Sequence, residues 1–308
     1  MELQLLDTIF TSEALMDQTF DPPQWVIEDL IPEGLTVLAG APKIGKSWLS
    51  LQIANAVATG EPLFGRKASK QEGVFVLALE DNPRRLQLRM DKGKFKPSKQ
   101  LNFAVEFSMG PSGLAEYLNQ NTDIKLVIID TLAIFLPAGS TRGQNAYDSD
   151  VGRMRQLHSI VKKMNVSIIV IHHDKQSEEG DWANKISGSS GIIGTADTLM
   201  RLSVTKRGSK EGNLQVTGRD VEDVELSLKL EESIMHWCID KKRDEKPLPP
   251  LHKEVLSFIP DAPETISSKL ISESLSKEQS QISEILTKLR NAGHIESPAW
   301  AEYTKPKT

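Results

Sequence analysis

Eight consecutive residues, Gly40-Ala41-Pro42-Lys43-Ile44-Gly45-Lys46-Ser47, fit the spacing Gly-x4-Gly-Lys-Ser/Thr in full. The chemistry of such a loop is phosphate binding. Gly40 and Gly45 let the backbone curl so that its N–H groups face an anion. The helix that follows adds the positive end of its dipole. Lys46 reaches the β- and γ-phosphates of a nucleotide, and the Ser47 hydroxyl is a ligand for Mg²⁺. Trp48 follows directly and joins the loop as a candidate contact. The motif needs a strand before it and a helix after it. Leu35–Ala39, an apolar run between Gly34 and Gly40, reads as the strand, and Ser47–Ala58 as the helix, with Leu51, Ala54 and Val57 on one face.

Further candidate groups end other apolar runs. Asp130 closes Leu126–Ile129, where a carboxylate can organise Mg²⁺. Glu80 closes Val74–Leu79, where it can orient or deprotonate an attacking water. Asp81 is next in line and competes for that role. His172-His173 closes Ile168–Ile171, and a neutral imidazole there can donate to a γ-phosphate and register its loss. Of the two, His173 is the preferred sensor.

These residues need a scaffold that brings several strand ends together. Buried runs alternate with helical segments, including Val151–Met164 with Asp148 to Asp150 available to cap its start. That alternation predicts an α/β core, a mainly parallel sheet with crossover helices. Thr198–Val204, Leu214–Thr217, Val224–Leu230 and Ile234–Ile239 read as strands of an antiparallel extension. Residues 1–24 form an irregular arm, 25–240 the nucleotide-binding domain and 241–250 a charged, proline-rich linker. Residues 251–308 carry three short helical patterns, Leu251–Phe258, Thr265–Ser274 and Gln279–Asn291, before a terminal hairpin. That arrangement predicts a small winged helix-turn-helix, with Gln279–Asn291 as recognition helix and Ile282, Ile285, Leu286 and Leu289 as its buried stripe.

Composition narrows the class. Of 308 residues, 39% are hydrophobic and 26% charged, enough to bury a sizeable core. No apolar run approaches the roughly 20 residues of a membrane span, and the first residues carry acids where a secretory signal is basic and apolar. A cytoplasmic protein without membrane association is expected. The single cysteine, Cys238, excludes an internal disulfide and reads as a buried strand residue. A net charge of −5 confines any nucleic-acid contact to local patches or to an assembled oligomer.

From Trp25 to about Leu230 the motifs run in a fixed order: GAPKIGKS, LALEDNPRRLQLR, LVIIDTL, VIHHDK, ISGSSG and TGRD. In this order the chain resembles the RepA-type branch of RecA-like ATPases from plasmids, phages and integrated elements. The resemblance implies ATP as the nucleotide, Glu80 as catalytic carboxylate, Asp130 as support for Mg²⁺ and His172/His173 as γ-phosphate sensors. It also implies a homo-oligomer, a hexameric helicase in the best understood members, with hydrolysis at subunit interfaces and a neighbour's arginine acting in trans. Where the branch has that arginine after Gly-Ser-Ser, this chain has Asp197, and Lys206, Arg207 and Arg219, which lie beyond, are the candidates to act in trans instead.

Two polar loops, 138–147 and 174–191, are candidates for the centre of a ring, with Lys175 and Lys185 as DNA contacts. The C-terminal module carries seven basic and eight acidic residues, so DNA docking and protein–protein contact both stay open. The leading functional expectation is an ATP-driven replication or remodelling motor that meets single-stranded or duplex DNA and other replication proteins. The alternative is a regulatory ATPase whose nucleotide state switches partner binding. A small-molecule kinase would need an acceptor pocket and lid, for which no specific signature stands out.

Overall fold

The computed structural model describes residues 10–19, 24–69, 71–136, 146–173, 190–206, 208–240, 250–262, 264–275, 277–291, 295–299 and 302–305. The chain divides into two units, Met1–Asp240 and Lys241–Thr308. In the first, α1 (Ser12–Met16) is a single turn capped by Thr11 that buries none of its residues. This short helix lies in the region expected to be irregular. A two-stranded ribbon, β1 (Trp25–Ile27) and β2 (Ile31–Pro32), leads into the main sheet.

The main sheet contains β3 (Leu35–Gly40), β4 (Gly73–Ala78), β5 (Leu101–Ala104), β6 (Ile124–Asp130), β7 (Ser167–His173), β8 (Thr198–Val204), β9 (Glu211–Gly218), β10 (Val224–Glu231) and β11 (His236–Ile239). Their spatial order is β11-β10-β9-β8-β3-β7-β6-β4-β5. The six strands from β8 to β5 are parallel, and antiparallel pairing begins at β9. Thr198–Val204 therefore belongs to the parallel core, not to the antiparallel extension where the sequence reading placed it. The reason is topological. Helix α7 (Ser190–Thr195) carries the chain across, so β8 lies alongside β3 in its direction, which no pattern within the strand encodes.

Strand alternation sorts the core into two layers. Leu38, Val76, Ile128 and Ile171 pack on one face beneath α2 (Lys46–Thr59). Val37, Leu77, Ile129 and Val170 pack on the other, against α4 (Gly110–Gln120), α5 (Leu132–Phe135) and α6 (Ala146–Met164). Helix α2 is buried from Leu49 to Ala58 on every side, so its apolar residues do not confine it to one face as an amphipathic stripe would. Helix α6 starts at Ala146, upstream of the predicted Val151. Asp150 is therefore inside the helix, buried and ion-paired with Arg153, instead of capping its start. On β11 the buried residue is Trp237, and Cys238 is exposed. The period of two gives the inner face to the larger ring, which overturns the buried reading of the cysteine.

The second unit holds α8 (Pro250–Phe258), α9 (Ser268–Leu275) and α10 (Gln279–Asn291) with a sheet in the order β12-β14-β13. These strands are β12 (Ile266–Ser267), β13 (Glu296–Ala299) and β14 (Glu302–Thr304). Ile282, Ile285, Leu286 and Leu289 are buried together with Val255, Ile259, Ile271 and Ile295. The middle helix begins at Ser268, not Thr265, because Ile266 and Ser267 pair with β14 and the Ser267 hydroxyl accepts from Leu270 N at 3.3 Å.

Candidate functional site

Parallel register delivers the chemistry to one edge of the sheet. Gly40 lies beside His173, and Ala78 beside Asp130. The loop after β3, the end of β6, the end of β7 and the residues just after β4 thus converge at the carboxyl ends of the strands, where open α/β sheets bind ligands. A cleft of about 390 Å³ opens there, lined by Lys46, Ser47, Glu80, Arg89, Asp130 and His173 among others.

The loop geometry depends on its glycines. Gly40 has φ +155°, and a Cβ there would stand 2.4 Å from the Leu202 carbonyl oxygen. Gly45 has φ +100° and would bring a Cβ within 3.0 Å of the Trp237 indole nitrogen. Lys46 is buried. Its Nζ donates to the Gly40 carbonyl at 2.6 Å and the Ala41 carbonyl at 2.8 Å, and lies 3.1 Å from His173 Nδ1. His173 Nε2 is 3.6 Å from Glu80 Oε1, so the imidazole bridges the lysine and the carboxylate. His172 precedes it on β7, where it pairs with Ala39.

Asp130 is buried, and the Ser47 side chain is among the groups that act on its carboxyl. Burial pushes its carboxyl above the ordinary value. Glu80 and Asp81 reinforce the rise, while the Ser47 side chain and Arg89 oppose it. A buried carboxylate short of compensating charge, next to a hydroxyl, suits a hard cation. Among the described residues no group of three or more acids, histidines or cysteines could hold a metal ion by itself. Two oxygen donors fit Mg²⁺, which keeps waters and takes further oxygens from phosphates.

Glu80 and Asp81 are separated by their surroundings. The Asp81 side chain is 4% exposed and is ion-paired with Arg89 and, at 3.4 Å, with Arg85. Glu80 is 47% exposed and faces the cleft. Arg89 comes from α3 (Pro83–Lys92), with its guanidinium 5.9 Å from the centre of the Trp48 ring. Sequence reasoning missed Arg89, although Asn82-Pro83 is a helix-start signal and the Asn82 side chain does accept from Arg85 N at 2.9 Å.

The cations considered for trans action are dispersed. Lys206 is exposed on the β8–β9 turn, whose residues Gly208, Ser209 and Lys210 line the cleft of the same chain. Arg219 is at the opposite end of the sheet, 3.0 Å from Asp197 Oδ1. Asp197 also accepts from Leu35 N at 2.9 Å and lies 3.1 Å from His158 Nε2. Arg207, Lys175 and Lys185, and nearly all of the two polar loops, lie outside the described residues. A second groove of about 570 Å³ is lined by Arg155, Lys162, Lys163 and Arg219 beside Gly191 and Thr195, and no carboxylate lines it among the described residues.

An α/β sheet of this order, with a phosphate loop on β3 and carboxylates at the neighbouring strand ends, has the fold of RecA-like ATPase domains. The ATPase domain of G40P matches with a TM-score of 0.53 and 13% identity, over 67% of this chain and 84% of that one. A DnaB-like replicative helicase, described with its interactions with primase, matches at 0.54 and 12%, over 77% and 70%. The chain matches the profile of the AAA domain family over residues 2–179, more than half its length, and belongs to that family. Curated protein sequences provide no match. Among the described residues no helix is long and apolar enough to cross a membrane.

Proposed function

We propose that this protein is a Mg²⁺-dependent ATPase of DNA replication or remodelling. In this reading it works in the cytoplasm as a homo-oligomeric, ring-forming helicase of the RepA type. The observation that carries the ATPase reading is the convergence of Lys46, Ser47, Asp130, Glu80 and His173 on one cleft. Loop amides and Lys46 bind the phosphate chain and draw charge from the β–γ bridge as it breaks. Ser47 and Asp130 would hold Mg²⁺, which neutralises phosphate charge when bound. Glu80 takes a proton from the attacking water. His173, between Lys46 and Glu80, registers the γ-phosphate at both. The groove of Arg155, Lys162, Lys163 and Arg219, lined by no carboxylate among the described residues, supports a polyanionic partner. The three helices and three-stranded sheet among the described residues of the second unit support a winged helix, with Gln281 and Arg290 exposed on α10. Loss of a duplex gel-shift in Gln281→Ala and Arg290→Ala full-length variants would assign it to DNA, and retention to protein contact.

The deciding experiment is steady-state ATP hydrolysis with Mg²⁺, with and without single-stranded DNA, beside Lys46→Ala and Glu80→Gln. DNA-stimulated turnover lost in both variants is the expected result. A second reading, a regulatory ATPase that switches partner binding, is favoured by Asp197. That residue stands where the resemblance places an arginine and is engaged with Leu35, His158 and Arg219. Turnover that needs Lys46 but ignores DNA selects this second reading.

A further inference from the structure

The phosphate loop is gripped from the far edge of the sheet. Trp237 of β11 is 1% exposed, and its indole N–H donates to the Gly45 carbonyl at 3.3 Å. That same carbonyl accepts from Trp48 N and Leu49 N, both at 3.1 Å, and so starts α2. The ring lies against the Gly45 α-carbon, where a Cβ would meet Nε1 at 3.0 Å, Cζ2 at 3.2 Å and Cε2 at 3.3 Å. The backbone of Trp237 is held as well. Its N–H donates to Gln52 Oε1 at 2.8 Å, and its carbonyl accepts from Gln52 Nε2 at 3.0 Å. Three hydrogen bonds therefore join β11 to the unit formed by the loop and α2.

We propose that Trp237 is a positioning residue for the phosphate loop, so that β11 sets nucleotide affinity and its exposed edge responds to nucleotide occupancy. This inference rests on the reading of the cleft as a nucleotide site. Gly45 immediately precedes Lys46 and Ser47, so rotation of the Gly45–Lys46 peptide displaces the ammonium and the hydroxyl together. The indole opposes that rotation twice, through its N–H on the carbonyl and its face on the α-carbon. Strand β11 also begins just after Met235, which lines the cleft, and Trp237 pairs with Leu230, which lines it too. The antiparallel strands thus form a wall of the cleft and brace its floor. An indole that merely filled core volume would need no polar contact with Gly45, and Phe would replace it at little cost to binding.

Cys238 provides the reporter. It is the only cysteine of the chain, is exposed, and follows Trp237 on the strand. The full-length protein carrying an environment-sensitive fluorophore on Cys238 is titrated with MgATP, beside Trp237→Phe, which keeps an aromatic ring and removes the N–H. One net hydrogen bond corresponds to about two- to tenfold in affinity. The expected result is a nucleotide-dependent emission change in the wild type. In Trp237→Phe the change is lost and the Kd is about two- to tenfold weaker. Equal Kd and an unchanged emission response in Trp237→Phe overturn the inference and leave Trp237 a packing residue. Should that variant not fold, the wild-type reporter decides alone, and an emission indifferent to saturating MgATP overturns the proposal. A wild type that binds no nucleotide by equilibrium dialysis overturns the reading of the cleft itself.

Discussion

Glu80 and Asp81 are adjacent carboxylates with different surroundings, and exchanging each for its amide separates their roles. The Glu80 side chain is about half exposed, with one 3.6 Å approach to His173, so Glu80→Gln changes stability by less than about 0.5 kcal/mol. If Glu80 is the base, turnover falls about 10²- to 10⁴-fold. Asp81 is 4% exposed, and its partners Arg89 and Arg85 are 25% and 54% exposed. Breaking a fully buried pair costs about 3–5 kcal/mol, and a fully exposed pair is worth about 0–1. The Asp81–Arg89 contact lies between, so Asp81→Asn loses about 1–3 kcal/mol. For a unit of this size that lowers Tm by about 2–12 °C. Arg89 then loses its anchor above Trp48, and since it lines the cleft, KM for ATP rises while kcat changes less than about tenfold. The assays are thermal unfolding and steady-state ATP hydrolysis on the same preparations. Turnover abolished in Asp81→Asn at unchanged Tm, with turnover retained in Glu80→Gln, would refute the assignment and exchange the roles.

Three further outcomes are expected. Gln52→Leu leaves the N–H and carbonyl of Trp237 without their partners, which costs about 2–6 kcal/mol for two such buried groups. Chemical denaturation reads the loss, and an unchanged midpoint would refute the clamp. His236 stacks on Phe95 with ring centres 4.8 Å apart, and burial holds its imidazole below the ordinary value near 6.5, against a raising backbone hydrogen bond at Gly93. A depressed folded-state value means that its contribution is complete above about pH 6.5 and is lost as pH falls through the folded value. His236→Phe should therefore flatten the acid limb of a Tm-versus-pH profile, and an unaltered limb would refute that cause. In the groove of Arg155, Lys162, Lys163 and Arg219, Arg155→Glu with Lys162→Glu should weaken single-stranded DNA binding and lower its salt slope. An unchanged slope would remove the groove as a nucleic-acid contact.

The parts of the site legible in the sequence are those written locally. Gly40 to Ser47 declares itself because a curled loop needs glycines at fixed offsets and the lysine and serine must follow at once. Asp130 and His173 could be placed because each ends an apolar run, and parallel strands bring such ends to one edge. The same logic brings Glu80 to the cleft but does not separate it from Asp81, whose burial is decided by Arg85 and Arg89 one and two helical turns away. Helix α3 has one buried residue, Leu86, which gives apolar periodicity almost nothing to detect. The direction of β8 was misread because burial alternation is the same for a strand in either direction; only its partner β3 decides.

The residues that hold the loop are farther still from the motif. Gln52 and Trp237 are separated by 185 positions, and Gly45 and Trp237 by 192. Neither residue type at its position carries a signal, since a glutamine in a helix and a tryptophan in a strand are ordinary choices. Placing the buried member of the Trp237–Cys238 pair required knowing that β11 runs past α2, a contact that exists only after β8, β9 and β10 have been laid down in order. A motif records what must touch the ligand, which is short in sequence because the ligand is small. What fixes the motif's geometry is set by the order of the strands, and the strands that reach back to the loop come last in this domain.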